Sequence, residues 1–154
     1  MSAGVTADLS AQLDQIRTVL AALAPRLDAG TPFVLAPSDR PLSQQAHMQE
    51  RWFEVDSPPA GGVTGRVFGA DKEEATATIT VAVLYDAKRD MTGLRNRMAS
   101  DRDLIRVTLQ NSENYADNVH LMTFQGAQDV PDPNDLEFIR RILTFGCTYW
   151  ANLT

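Results

Sequence analysis

The 154-residue sequence holds a single cysteine, Cys147, so no disulfide can form within the chain and a reducing compartment is its natural setting. Its two histidines, His47 and His120, stand without companions at metal-ligand spacing, which speaks against a zinc site. No stretch approaches the roughly 20 apolar residues of a membrane span, and the N-terminus lacks a basic region followed by an apolar core. The expectation is therefore a soluble, untargeted, cytoplasmic chain. Positive charge is also short: 14 Lys and Arg against 20 Asp and Glu leave a net charge of −6. Gripping nucleic acid by its phosphates needs a basic patch that releases counterions, so that class of function is disfavoured. Catalytic signatures are missing too. There is no Gly-x-Ser-x-Gly elbow, and no carboxylate stands in an apolar run where burial would raise its pKa for acid catalysis. Gly61, Gly62, Gly65 and Gly69 lack the Gly-Lys-Ser/Thr opening of a phosphate loop, and the residues after them lead to strand. The reading is of no enzyme, no metal and no cofactor.

What the chain does have is a strand around which the rest is organised. From Thr76 to Tyr85, Ala77, Ile79, Val81, Val83 and Tyr85 form one apolar row; Thr76, Thr78 and Thr80 fill the other before Ala82 and Leu84 close it. One face is expected to be buried and the other half wet. β-Branched residues dominate and Gly and Pro are absent, which predicts a central strand paired on both edges. With 44% hydrophobic and 22% charged residues, one ordinary domain spanning residues 1–154 is expected.

The spacing of Leu9, Leu13, Ile16, Leu20, Leu23 and Leu27 predicts a first helix over Thr6 to Leu27, capped by Thr6 or Ser10 and closed near Pro25 and Gly30. Phe33-Val34-Leu35, fenced by Pro32 and Pro37, is at most an edge strand. In Arg51-Trp52-Phe53-Glu54-Val55 the adjacent aromatics point to opposite faces of a strand, so only one enters the core; the other is a surface aromatic or a subunit contact. Pro58 to Gly62 reads as a loop. Val63 to Phe68, followed by Gly69 to Glu74, predicts a hairpin with an exposed acidic tip. Leu94, Met98, Ile105 and Leu109 mark one face of a helical region from Met91 to Asn111. Ser100 with Asp103 suggests a capping box, and hence two short helices. Asn118 to Gln125 is a further strand, completing a β-α-β passage. Gln128 to Asn134, with two prolines, is expected to connect without packing. Phe138 to Trp150 predicts a long closing strand beside the organising one, with Cys147 as a small buried hydrophobe. The fold class is thus α+β: a mixed, mostly antiparallel sheet of four to five strands, with an N-terminal helix and a helix after the central strand packed on it.

The first helix, the hairpin, Thr78-Ile79-Thr80-Val81-Ala82-Val83-Leu84-Tyr85 and a helix carrying Arg97 and Asp101-Arg102-Asp103-Leu104-Ile105 ahead of Leu109 form a pattern. With the closing Arg141-Ile142-Leu143-Thr144-Phe145-Gly146-Cys147-Thr148-Tyr149, it resembles the tail terminator (tail completion) proteins of long-tailed bacteriophages. The resemblance covers the last half of the chain in residues and the first half in element order. It implies a structural virion protein that assembles as a hexameric ring, caps the finished tail tube, stops its growth and offers the surface to which the head attaches. The implied partners are copies of itself, the tail tube protein and the head-tail stopper. DNA would pass the lumen without specific binding, and no membrane is involved.

Under that resemblance the subunit or partner contacts fall on Trp52, Phe53, Arg66, Phe68, Asp71, Lys72, Glu73, Glu74, Arg95 and Arg102. The charged ones have a plainer explanation. Charged turns are commonly just solvated, and helix arginines are accounted for equally by intrahelical pairs with Asp101 and Asp103. Two alternatives remain open: a head-side stopper, and a small α+β enzyme or ligand-binding domain. The last would show a concave apolar pocket with convergent polar groups.

Overall fold

A computed structural model describes residues 2–36, 49–57, 67–68, 72–88, 91–131 and 138–152. His47, Pro58 to Gly62, Val63 to Arg66, Gly69 to Asp71 and the last part of Gln128 to Asn134 lie outside the described residues. In chain order the elements are α1 (Ser2–Ala21), β1 (Val34–Leu35), β2 (Trp52–Asp56), β3 (Val67–Phe68), β4 (Lys72–Asp86), α2 (Met91–Gln110), β5 (Val119–Pro131) and β6 (Phe138–Asn152). A 3-10 turn at Ser112–Asn114 follows α2. The architecture is α+β. The sheet runs β1-β2-β4-β6-β5, with β3 paired to β4 beyond the end of β2. Only the β1–β2 pair is parallel; every other pair is antiparallel.

β4 is the central strand that its alternation predicts. It pairs with β6 along its whole length, from Lys72 opposite Asn152 to Asp86 opposite Phe138, and with β2 on its other edge. Because β6 is antiparallel to both neighbours, β4 and β5 run parallel with β6 between them, and α2 is the crossover that joins them. Both helices lie on one face. Ile16 and Leu20 of α1 and Leu94, Met98, Ile105 and Leu109 of α2 bury against Phe53, Val55, Ile79, Val81, Val83, Tyr85, Leu143, Phe145, Cys147 and Tyr149. A fully buried side chain of this kind contributes about 1.5–3 kcal/mol by leaving water. Polar ties fix the layers in register: Arg17 donates to the Val55 carbonyl at 3.0 Å, and buried Gln12 accepts from the Ala116 N–H at 2.8 Å.

Four expectations about the elements need correction. α1 ends at Ala21 rather than near Leu27, because the Pro25 ring collides with the carbonyl four residues back and the residue before it is driven out of the helical region. Leu27 consequently stands 42% exposed in the loop that follows. α2 is one continuous helix, not two; Asp101 points into the core and does not break the run. Gln128 to Pro131 does pack, as the distal part of β5 paired to β6 from Gln128 opposite Ile142 to Pro131 opposite Ile139. An edge strand tolerates proline, since the missing donor falls on the unpaired side. The hairpin is shorter-tipped than expected: Phe68 pairs with Lys72, so Lys72, Glu73 and Glu74 belong to β4.

Candidate functional site

The deepest polar cluster forms where β2, β4, α2 and the loop after α1 meet. Arg51, with no exposed surface and a left-handed backbone (φ 67°), uses all five of its side-chain donors. Nε and Nη2 reach the two Asp101 oxygens at 2.8 and 3.1 Å; Nη1 reaches the carbonyls of Asp28 and Thr31 at 2.7 and 2.8 Å; Nη2 also reaches the Leu27 carbonyl at 2.7 Å. The Tyr85 hydroxyl donates to Asp101 at 2.7 Å, and the guanidinium lies 5.6 Å from the Phe33 ring centre. Beside it Arg97 donates to Glu50 at 3.1 Å, and Glu50 also accepts from the Asp86 N–H.

Burial pushes the Asp101 carboxyl up from its ordinary value, opposed by the hydrogen bonds from Arg51 and Tyr85. Burial, reinforced by the Asp101 charge, raises the Tyr85 phenol well above its usual value. The sequence therefore does place a carboxylate where burial raises its pKa, contrary to expectation. Yet both Asp101 oxygens are occupied and the side chain has no exposed surface, so no substrate atom reaches it. The cluster holds the loop at 27–31 and the start of β2 in place. Left-handed backbone at Arg51 and at Asp28 (φ 51°) costs about 1–3 kcal/mol each, and the hydrogen bonds offset it.

The other face of the sheet carries no described helix. Register places Thr76 beside Thr148, Thr78 beside Gly146 and Thr80 beside Thr144, with Leu121 and Thr123 of β5 continuing the rows. At its centre lies an open concavity of about 350 Å³, lined by threonines together with Ala77, Gln125, Gly146 and Cys147 and by no charged side chain. The Gln125 amide lies over Gly146, which has no side chain to exclude it. Cys147 is 1% exposed and burial pushes its thiol up to about 12, so it stays protonated and inert. At one end of this face Trp52 packs half-buried with Ala36, Ala82 and Ile142. At the other, His120 stacks on Trp150 with ring centres 5.1 Å apart, its Nε2 3.3 Å from a Glu74 oxygen.

The described residues among those singled out from the sequence do not converge. Trp52 and Glu74 lie toward opposite ends of the open face, Glu74 opposite Trp150 in the ladder. Phe53 is fully buried under the helices and serves the chain's own core, so it is withdrawn as a contact candidate; Trp52 is the outward member of the pair. Phe68 is in β3, and Lys72 and Glu73 are opposite Asn152 and Ala151. Arg95 and Arg102 lie on α2, in the layer across the sheet from Trp52; Arg102 is paired with its neighbour Asp103 at 3.3 Å. Intrahelical pairing does not extend to Asp101, which turns inward to Arg51. Sequence reasoning missed Arg51, Glu50 and Asp101. The available signal was Asp101 itself, at helical spacing between Met98 and Ile105 in an otherwise apolar stripe.

No family model matches this chain, and no curated protein does. Among solved structures, a chain of "Virion of native gene transfer agent (GTA) particle" superposes with a TM-score of 0.53. The match covers 96% of this chain and 98% of that one at 18% identity, so the likeness is one of fold. Among the described residues no helix is long and apolar enough to cross a membrane.

Proposed function

We propose that this chain is a structural virion protein: a ring subunit that caps a phage-like tail tube, ends its growth and presents the surface for head joining. The observation that carries the reading is the shared fold with a virion-particle chain, end to end on both sides. The surface is consistent with it. The open sheet face has an uncharged centre on a chain that is otherwise acidic, and charge-poor surface is what the middle of a protein–protein contact uses. The fully buried Arg51–Asp101 pair, saturated by its own chain, performs no chemistry in this role. Six copies would carry a summed charge of about −36, which repels DNA from a lumen wall and lets it pass. The partners under this reading are further copies, the tube protein and the stopper on the head side.

Light scattering and electron microscopy of the purified chain, alone and with tail tubes, test the proposal. The expected result is a closed ring, formed in solution or on the tube end, and tubes of uniform length. A chain that stays monomeric and leaves tube growth unchanged overturns it.

A further inference from the structure

The outer edge of β5 is treated differently along its length. In the β5–β6 ladder the Trp150 N–H turns toward β5, donating to the Asn118 carbonyl, so even-numbered β6 residues face β5 and odd-numbered ones face β4. β5 residues opposite odd-numbered partners therefore aim their own N–H groups away from the sheet. In the first half these are Val119, Met122 and Phe124, and all three are capped: Val119 N–H donates to the Ala116 carbonyl at 3.0 Å, Met122 N–H to the Tyr115 hydroxyl at 3.1 Å, and Phe124 N–H to Gln110 Oε1 at 2.8 Å. The bulge between Phe124 and Gly126 then shifts the register by one residue. Beyond it the outward N–H groups are those of Ala127 and Asp129, opposite Leu143 and Arg141, while Pro131, opposite Ile139, has none to offer. No described residue caps them, and Ala127, Gln128 and Asp129 are exposed. Open edges are usually guarded by charge. Here the Asp129 carboxylate is folded onto Arg141 through two hydrogen bonds, at 2.7 and 3.0 Å, so its charge is compensated along the sheet.

The opposite margin of the same sheet is β1. The N–H groups of Val34 and Ala36 are spent on β2, at 3.1 and 2.9 Å, so by alternation Leu35 presents its backbone outward, whereas Phe33, 3% exposed, is covered. Val34 and Leu35 are 43% and 41% exposed, apolar surface at the rim of the sheet. The β5 margin thus offers two outward backbone positions, Ala127 and Asp129, and the β1 margin one, Leu35, all uncharged in effect.

The geometry points to strand addition between copies: the distal β5 edge, Ala127 to Asp129, pairs with the β1 edge around Leu35 of a second copy of this chain. Backbone edges recognise other backbone edges. One margin of a copy meeting the other margin of the next is a heterologous contact, which closes into a ring when the rotation closes. The inference rests on the ring reading and names its joint.

Two single variants, Ala127→Cys and Leu35→Cys, are purified separately, mixed, assembled and treated with a short bis-maleimide. The native thiol is buried and silent. Cross-linked dimer is expected from the mixture and from neither variant alone. Independently, Ala127→Pro deletes an N–H that β6 does not use and is expected to weaken assembly about tenfold or more per contact while the monomer keeps its circular dichroism. Rings that form normally with Ala127→Pro, and give no mixed cross-link, overturn the joint and leave the ring standing. A wild-type chain that is monomeric alone and on tubes overturns both. If Ala127→Pro misfolds, the cross-link alone decides.

Discussion

The two faces of the β4–β6 ladder are built from alternate residues of the same strands, yet they follow different rules. Toward the helices, Ile79, Val81, Val83, Leu143, Phe145 and Cys147 are all within about 1% of complete burial, and the Arg51, Asp101 and Tyr85 side chains buried beside them are bonded to one another. Toward solvent, the same strands offer Thr76, Thr78, Thr80, Thr144 and Thr148 around a glycine, half-covered and uncharged. The first face determines whether the chain folds; on the second, Ala82 and Leu84 are buried as well, and only the threonine stretch is free to determine what the folded chain meets. A substitution on one should therefore move stability, and a substitution on the other should move association.

The strongest way to break that division is at the polar hub. Asp101→Asn keeps the volume but leaves the Arg51 guanidinium buried without its counter-charge, and about 3–5 kcal/mol of stability should be lost. Denaturant titration measures it; a loss under about 1 kcal/mol would mean the hub does not anchor the loop at 27–31.

A smaller effect should appear at alkaline pH. The Cys147 thiol lies at about 12 in the folded chain against its ordinary 9.0 when solvated in the unfolded one, so between these values the folded chain keeps a proton that the unfolded chain has lost. Stability from this group is complete below about pH 9 and falls by about 1.4 kcal/mol per unit as pH rises above it. The raised Tyr85 phenol acts in the same direction. Cys147→Ala should flatten the alkaline limb of a stability profile, and an unchanged slope would show that the thiol is not held in apolar surroundings.

The smallest expected effect on folding is on the open face. Thr148→Lys should change stability by no more than about 0.5 kcal/mol while reducing ring or tube association. If stability and association fall together, the two faces are not separable.

How far the sequence discloses these arrangements depends on which residues carry the information. β4 is legible because alternation over ten residues has no helical counterpart, and β6 because its apolar row must lie beside it. The Trp52–Phe53 pair is legible in kind, since neighbours on a strand cannot share a face. The hub is not. Arg51 adopts a left-handed conformation that arginine has no local reason to take, and three of its five hydrogen bonds go to main-chain carbonyls, which carry no side-chain identity to read. Asp101 was readable in principle, but counting only apolar positions passes over a carboxylate in the stripe. The distal half of β5 is hidden for another reason: Pro131 excludes a central strand but leaves an edge strand open, and only the tertiary position of β5 decides between connector and edge.

The ladder between β4 and β6 runs without interruption for fifteen rungs, about 50 Å at strand rise. Such a ribbon, braced along one side by two helices, is one continuous element from the Lys72 end to the Asp86 end. Trp150 and Trp52 therefore sit near opposite ends of one unbroken ladder, and their separation is set by its length.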